Sequence, residues 1–316
     1  MGIYKDFIIL VVGIFLIVKS ADLFTSAAEA IAVFFKIPRV LIGLTIVSIA
    51  TTMPEFAVSV LSAKMGAGGI AIGNATGSCL VNIGLILAAA AIIRSLKFDP
   101  RLIKQELVFL IGVCSFVFLL MFDGVLSFSD GIMLCVLLGA FFAYVIAREL
   151  KDQKNRNDKT ELKAKSLNKD IAKFILGSAG VVVAAKYAII PSGVAIANYF
   201  QVPEIVIAVT MIAIGTSLPE LVTALVASMK KMGGLAVGNV IGANILNMLW
   251  VLGFSSIIRP LAIDSQTKFV TMPLVIGFAL LVFLFTRKSL LLKKAHGLIL
   301  MSLYGGYMVY IVKFAY

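Results

Sequence analysis

The sequence predicts an all-α integral membrane protein: ten transmembrane helices arranged as two inverted five-helix repeats, with helices broken at a site near the membrane midplane. Three observations carry this prediction. The chain of 316 residues is 61% hydrophobic and 14% charged, with mean hydropathy +1.06, more apolar surface than a soluble domain of this length can bury. Its apolar residues gather into ten segments, each long enough to span a bilayer. Two of its longest stretches are copies of one another.

Hydrocarbon offers no hydrogen bonds, so a spanning segment must satisfy its own backbone. The apolar runs are too long for barrel strands, which leaves helices. The net charge of +12 does not point to a nucleic-acid partner, because the basic residues lie between apolar segments, where orientation signals belong. Cys79, Cys114 and Cys135 fall inside apolar runs and suit packing; their spacing gives neither a disulfide nor a zinc site. The lone His296 lies in a basic connection and is assigned no role. No small-residue cleavage site follows the first apolar run, so a retained helix is expected there rather than a removed signal peptide.

In chain order the segments cover roughly 7–34, 40–63, 69–93, 103–121, 127–147, 171–199, 204–229, 234–258, 269–286 and 294–314. Residues 1–147 form the first five-helix unit and 171–316 the second. Between them, 148–170 is the one long polar stretch and reads as a solvated linker. Five segments is an odd number, so two copies insert in opposite orientations. With the N-terminus outside, the cytoplasmic connections carry Lys36, Arg39, Arg94, Lys97, Arg101, Lys104, the linker bases, Lys230, Lys231, Arg287, Lys288, Lys293 and Lys294. The other side carries Lys64, Arg259, Lys268, Asp123 and Asp130. This bias places both termini outside and the linker in the cytoplasm of a multi-pass cell-membrane protein. Within the spans, Lys19 and Asp22 stand one turn apart and are expected to pair. Glu29 falls near the cytoplasmic interface, and Lys186 either snorkels or finds a partner elsewhere.

The copied stretches are T-I-V-S-I-A-T-T-M-P-E from Thr45 and T-M-I-A-I-G-T-S-L-P-E from Thr210. Each is followed by a helical run and a Gly-rich block, G-N-A-T-G-S-C-L-V-N and G-N-V-I-G-A-N-I-L-N. One offset of 165 positions pairs Glu55 with Glu220, Pro54 with Pro219, Thr51 with Thr216, Asn74 with Asn239, Gly77 with Gly242 and Asn82 with Asn247, without a gap. The α-repeats so defined cover about 40–93 and 204–258. Proline removes an N–H and clashes one turn back, so both helices should break there and free carbonyls near Ser48–Ala50 and Ala213–Gly215. Irregular backbone at this depth must line a polar cavity or be buried in protein. Thr51, Thr52, Thr216 and Ser217 set hydroxyls beside the two carboxylates, and Ser78, Asn82 and Asn247 follow in the Gly-rich blocks, whose glycines allow close helix approach. Carboxylate, hydroxyl, amide and carbonyl oxygens are the ligands of hard cations such as Ca²⁺. A lone intramembrane carboxylate costs about 2.5–3.5 kcal/mol on insertion scales. Two facing carboxylates also repel each other, and one Ca²⁺, two Na⁺ or two protons would neutralise the pair. A purely structural role, with both glutamates protonated between helices, does not account for duplication of the whole polar set.

On these residues the chain resembles the calcium/cation antiporter superfamily, and within it the prokaryotic sodium/calcium exchangers. The match rests on G-T-S-L-P-E at 215–220, A-T-T-M-P-E at 50–55 and both G-N-x-x-G blocks, and extends over the ten-segment layout. The resemblance implies a secondary antiporter, not an enzyme, that exchanges Ca²⁺ for Na⁺ by alternating access. In the family the second, third, seventh and eighth helices surround the ions, while the first and sixth slide past them. It implies Glu55 and Glu220 as central Ca²⁺ ligands with Thr51 and Thr216 beside them. Ser78 and the carbonyls near Ser48 and Ala213 would serve the flanking Na⁺ sites, and Asn82 and Asn247 would face the middle. No cofactor is expected; Ca²⁺ and Na⁺ are the transported ions, the bilayer is the surroundings, and a monomer suffices. Two departures bear on coupling: Ala243 stands where sodium-coupled relatives carry Ser, and Asn247 where many carry Asp. The alternative on the same fold couples Ca²⁺ to H⁺ or another monovalent ion. A cation channel is a further alternative, distinguished by flux without a counter-ion. No Ser/Lys, Asp/Asp or H-E-x-x-H arrangement indicates an intramembrane enzyme.

Overall fold

The computed structural model describes residues 2–35, 39–155, 167–199 and 214–314, and they are overwhelmingly helical. The first copy opens with α1 (Gly2–Phe34). A bent pair follows, α2 (Val40–Thr51) and α3 (Met53–Lys64), meeting at 45°. Then come α4 (Gly68–Ile93), α5 (Leu102–Asp123) and α6 (Phe128–Asn155). In the second copy α7 (Leu167–Ala184) passes through a π-turn at Ala185–Ile189 into α8 (Ile190–Tyr199). The chain resumes with α9 (Leu218–Met229), α10 (Gly233–Ile258), α11 (Thr267–Thr286) and α12 (Lys294–Phe314). Seven described helices are long and apolar enough to cross a membrane, and the α2–α3 pair makes an eighth. The expected tenth segment is α12. The expected seventh is represented by α9, its earlier part falling largely outside the described residues.

Both breaks fall where proline predicts them. Thr52 turns out of the helix with φ −80° and ψ −1°, and Ser217 does so with φ −84° and ψ 8°. Pro54 and Pro219 then occupy the first turn of α3 and α9, where an N–H has no intrahelical acceptor to lose.

Burial separates a centre from a periphery. The most apolar window of α10 is 94% buried and that of α4 72%, against 22% for α1 and 18% for the helix that begins at Leu167. The two Gly-rich helices therefore form the core, and α1 and α7 lie outside it. These two pack on each other: a Cβ at Gly177 would lie 2.7 Å from the Phe24 backbone nitrogen, and Ile17, Ala21, Val181 and Ala184 form a small separate cluster with Val226 of α9. In the centre, a Cβ at Gly238 would lie 2.1 Å from the Val40 carbonyl, and one at Gly242 2.5 Å from the Leu44 carbonyl. Any side chain there would push α10 away from α2, which explains glycine in the second G-N-x-x-G block.

Two short antiparallel ribbons tie connections of opposite copies together. β1 (Leu96–Lys97) pairs with β4 (Leu291–Leu292), and β2 (Val125–Leu126) with β3 (Leu261–Ala262). An offset of 165 carries β1 onto β3 and one of 166 carries β2 onto β4, so the duplication exchanges the two ribbons.

Two expectations are corrected, and a third, left open, is placed. Asp22 pairs not with Lys19 but with Lys230, at 2.7 Å. Lys230 ends its helix beside α1 and reaches Asp22 and Ser26 together, whereas Lys19 lies over the Phe15 ring. The polar stretch after 147 is not a solvated linker from its start, for α6 continues to Asn155. Arg148 turns inward to Glu106 at 2.7 Å, a pairing that offsets the cost of burying these two charges, and Glu149 is buried. Lys186, left between two readings, lies over the Tyr187 ring, 5.2 Å from its centroid.

Candidate cation site

Glu55, Glu220, Ser78, Asn82 and Asn247 are all fully buried where the two broken helices meet α4 and α10. No Lys or Arg among the described residues forms an ion pair with either glutamate. Hydroxyls serve them instead, and they cross between copies. The Ser217 hydroxyl donates to Glu55 Oε1 at 2.9 Å, and the Thr52 hydroxyl donates to Glu220 Oε1 at 3.2 Å. Ser217 and Ser78 hydroxyls lie 3.1 Å apart. The second carboxylate oxygen of each glutamate, Oε2, is buried without a partner.

A further crossed pair braces the breaks. Thr51 donates to Asn239 Oδ1 at 3.1 Å, and Thr216 donates to Asn74 Oδ1 at 3.0 Å. Asn74 in turn holds the Glu55 carbonyl at 3.1 Å and the Ser59 hydroxyl at 2.9 Å. The offset maps each of these crossed bonds onto its mate. Asn82 donates to Asn244 Oδ1 at 2.9 Å, which leaves Asn82 Oδ1 without a partner; both polar atoms of Asn247 are likewise unpartnered. Buried polar atoms are ordinarily paired, so the unpaired oxygens of Glu55, Glu220, Asn82 and Asn247 make this cluster the candidate ligand site. The donor set is oxygen only, as a hard cation requires.

Of the residues marked from sequence, five make up one site in two hydrogen-bonded groups, Glu55 with Ser217 and Ser78, and Glu220 with Thr52. Thr51 and Thr216 brace it through the two asparagines. Ser48 turns away: its hydroxyl donates to the Leu44 carbonyl at 2.8 Å, and its carbonyl accepts the Thr52 N–H at 2.9 Å. The carbonyl that Pro54 leaves without an amide partner is instead the one four residues earlier, at Ala50. Ala213 lies outside the described residues. Asn74, Asn239 and Asn244 were not marked as site residues; the signal for the first two was their exact duplication in the G-N-x-x-G blocks. Ala243 is fully buried and is the offset mate of Ser78, so the second copy lacks one hydroxyl that the first supplies.

This geometry defines a class: a protein with several apolar spans and a buried, oxygen-rich polar cluster shared by two halves of a duplicated chain. The sodium/calcium exchanger protein family matches residues 5–147 and 169–313, and the chain belongs to that family. It is 36% identical to the inner membrane protein YrbG of Escherichia coli over 81% of each chain. It is 30% identical to the sodium/calcium exchanger MaX1 of Methanosarcina acetivorans over 96% of this chain and 97% of that one. A solved structure of the sodium-calcium exchanger NCX_Mj soaked with 10 mM Na⁺ and 10 mM Sr²⁺ superposes with a TM-score of 0.85 at 30% identity, covering 99% of each chain.

Proposed function

We propose that this protein is a secondary antiporter that exchanges Ca²⁺ for Na⁺ across a cell membrane by alternating access. The observation that carries the reading is the pair of fully buried glutamates, each with one oxygen held by a hydroxyl of the other copy and one unpartnered. Two negative charges in a low-dielectric interior are expensive while unpaired. One Ca²⁺ removes the cost, and so do two Na⁺; a site acceptable with either load and unfavourable when empty favours exchange over leak. Glu55 and Glu220 are assigned to the divalent ion. Ser78, Ser217, Thr52, Asn82 and Asn247 complete the oxygen set, and Thr51 and Thr216 fix the breaks that present it.

The ten helices are assigned as two inverted five-helix repeats, 1–147 and 171–316, with both termini outside and the 148–170 region cytoplasmic. The two ribbons support this arrangement, since each joins connections that the topology places on one side. The protein acts without a cofactor and as a monomer, because both halves of the site come from one chain. The first helix of each repeat, exposed and packed on its counterpart, is suited to slide against the core.

Proteoliposome uptake of ⁴⁵Ca²⁺ with Na⁺, K⁺ and H⁺ gradients imposed separately tests the reading. Uptake driven by an outward Na⁺ gradient at fixed pH is expected. Equal uptake without any counter-ion gradient would make the protein a channel, and uptake that follows only the pH gradient would make it a proton-coupled exchanger.

A further inference from the structure

We infer that Asn244 is a positioning residue that sets which end of the Asn82 side-chain amide faces the cation site; this rests on the cation-site reading above and deepens it. One group in this network cannot change role. The Cys79 backbone carbonyl only accepts hydrogen bonds, and Asn244 Nδ2 donates to it at 3.4 Å. The Asn244 amide is thereby oriented, with its oxygen on the opposite side. That oxygen accepts from Asn82 Nδ2 at 2.9 Å. Asn82 has then committed its only donor group, and the end left over is Oδ1, fully buried and unpartnered. Acceptor, donor, acceptor, donor and free oxygen follow one another without an alternative assignment, so the orientation follows from the network itself.

The consequence is chemical. An asparagine whose amide is free to rotate offers a cation its oxygen or its NH₂ group, and the second repels it. Asn244 removes the second option. The Cys79 thiol also contacts the Asn244 carbonyl at 3.8 Å, so α4 and α10 are held together at this level from both sides. The duplicated chain supplies its own control. The 165-residue offset carries Asn82 onto Asn247 and Cys79 onto Asn244. Asn247 therefore has a cysteine where Asn82 has an amide, and neither polar atom of Asn247 has a partner. One of the two central amides is a dedicated oxygen donor, and the other can present either end.

The test is a double-mutant cycle on the full-length protein in proteoliposomes, read as the KM for ⁴⁵Ca²⁺. Asn244→Leu removes both hydrogen bonds at similar size. Asn82→Asp makes both ends of residue 82 oxygen, so no orientation remains to be set. Asn244→Leu is expected to raise the Ca²⁺ KM about tenfold, the scale of one lost polar contact, and to leave KM unaltered in the Asn82→Asp background. An unaltered KM for Asn244→Leu alone would overturn the inference. So would an equal rise in both backgrounds, the mark of a packing role. Asn244→Ala, run through the same cycle by the same criterion, replaces the leucine variant if the latter does not reach the membrane. Asn82→Ala separates the two levels: a normal Ca²⁺ KM there would overturn the assignment of Asn82 to the site, whatever Asn244 does.

Discussion

In the first copy Thr51 reaches across to Asn239 and Thr52 to Glu220; in the second, Thr216 reaches back to Asn74 and Ser217 to Glu55. One offset exchanges the two sets. Further from the centre the same offset fails. Phe109 and Phe141 stack at 4.6 Å between α5 and α6; in their places between α11 and α12, with the second copy one residue longer from β4 on, stand Leu274 and Tyr307, which line a groove of about 400 Å³. Glu106 and Arg148 form an ion pair; in their places the second copy has Thr271 and Phe314, and Thr271 meets Tyr307 instead. The difference follows from what each residue must match. A crossed bond joins one copy to the other, so a change on either side strands a buried polar atom opposite. An outer cleft answers only to its own pair of helices and has filled differently in the two halves.

The most severe way to break this equivalence is to remove one charge. Glu55→Gln and Glu220→Gln should each reduce ⁴⁵Ca²⁺ uptake to background, since each leaves one negative charge to balance a divalent ion. Near-normal uptake by either variant would mean that the copies are not equivalent and that the assigned site is wrong.

A smaller loss is expected from the crossed hydroxyls. Ser217→Ala and Thr52→Val each delete the donor to the glutamate of the other copy, and each should raise the Ca²⁺ KM about tenfold, for about 1–1.5 kcal/mol. Equivalent copies predict equal effects; a large effect from one variant and none from the other would restrict the Ca²⁺ site to one half.

Acid should act on both copies together. Protons and Ca²⁺ compete for the same carboxylate oxygens, and the charge that attracts Ca²⁺ is present at high pH and lost as protons bind. Ca²⁺ binding should therefore weaken several-fold between pH 8 and pH 5. Binding that stays flat over this range would exclude shared carboxylates.

The smallest expected effect sharpens the one central mismatch, Ser78 against Ala243. Ala243→Ser returns the missing hydroxyl and should lower the Na⁺ concentration for half-activation by about threefold to tenfold, the value of one polar contact. Asn247 adds no charge, so two monovalent ions already neutralise the core, and a Na⁺:Ca²⁺ ratio below that of serine-containing relatives is expected from the reversal potential. Tight, steep Na⁺ activation in the natural protein, unaltered by the serine, would refute this account.

The duplication, the broken helices and the central glutamates were all legible in the sequence, because each is a pattern along the chain. Proline two residues into a helix announces a break, and an offset announces a copy. Contacts between helices were not legible. Lys19 and Asp22 are neighbours by helical spacing, yet Asp22 chose Lys230, more than two hundred residues away, because the end of α9 lies against α1. Arg148 and Glu149 read as linker by composition, yet they sit where α6 still touches α5. Asn244 was hidden because its offset mate is a cysteine; a search for duplicated polar residues passes over a position that is polar in one copy only.

The crossed bonds also bear on how the chain is made. Glu55 is threaded into the bilayer while its donor, Ser217, lies 162 residues downstream, and Glu220 finds its own donor 168 residues behind it. Neither half can make its crossed bond alone, so this bonding set forms only after most of the second half has been synthesised. The ribbon from Leu96–Lys97 to Leu291–Leu292 closes later still. Assembly of the centre is thus a late event that closes over long sequence separations, and a chain interrupted before α9 would leave Glu55 without its Ser217 donor.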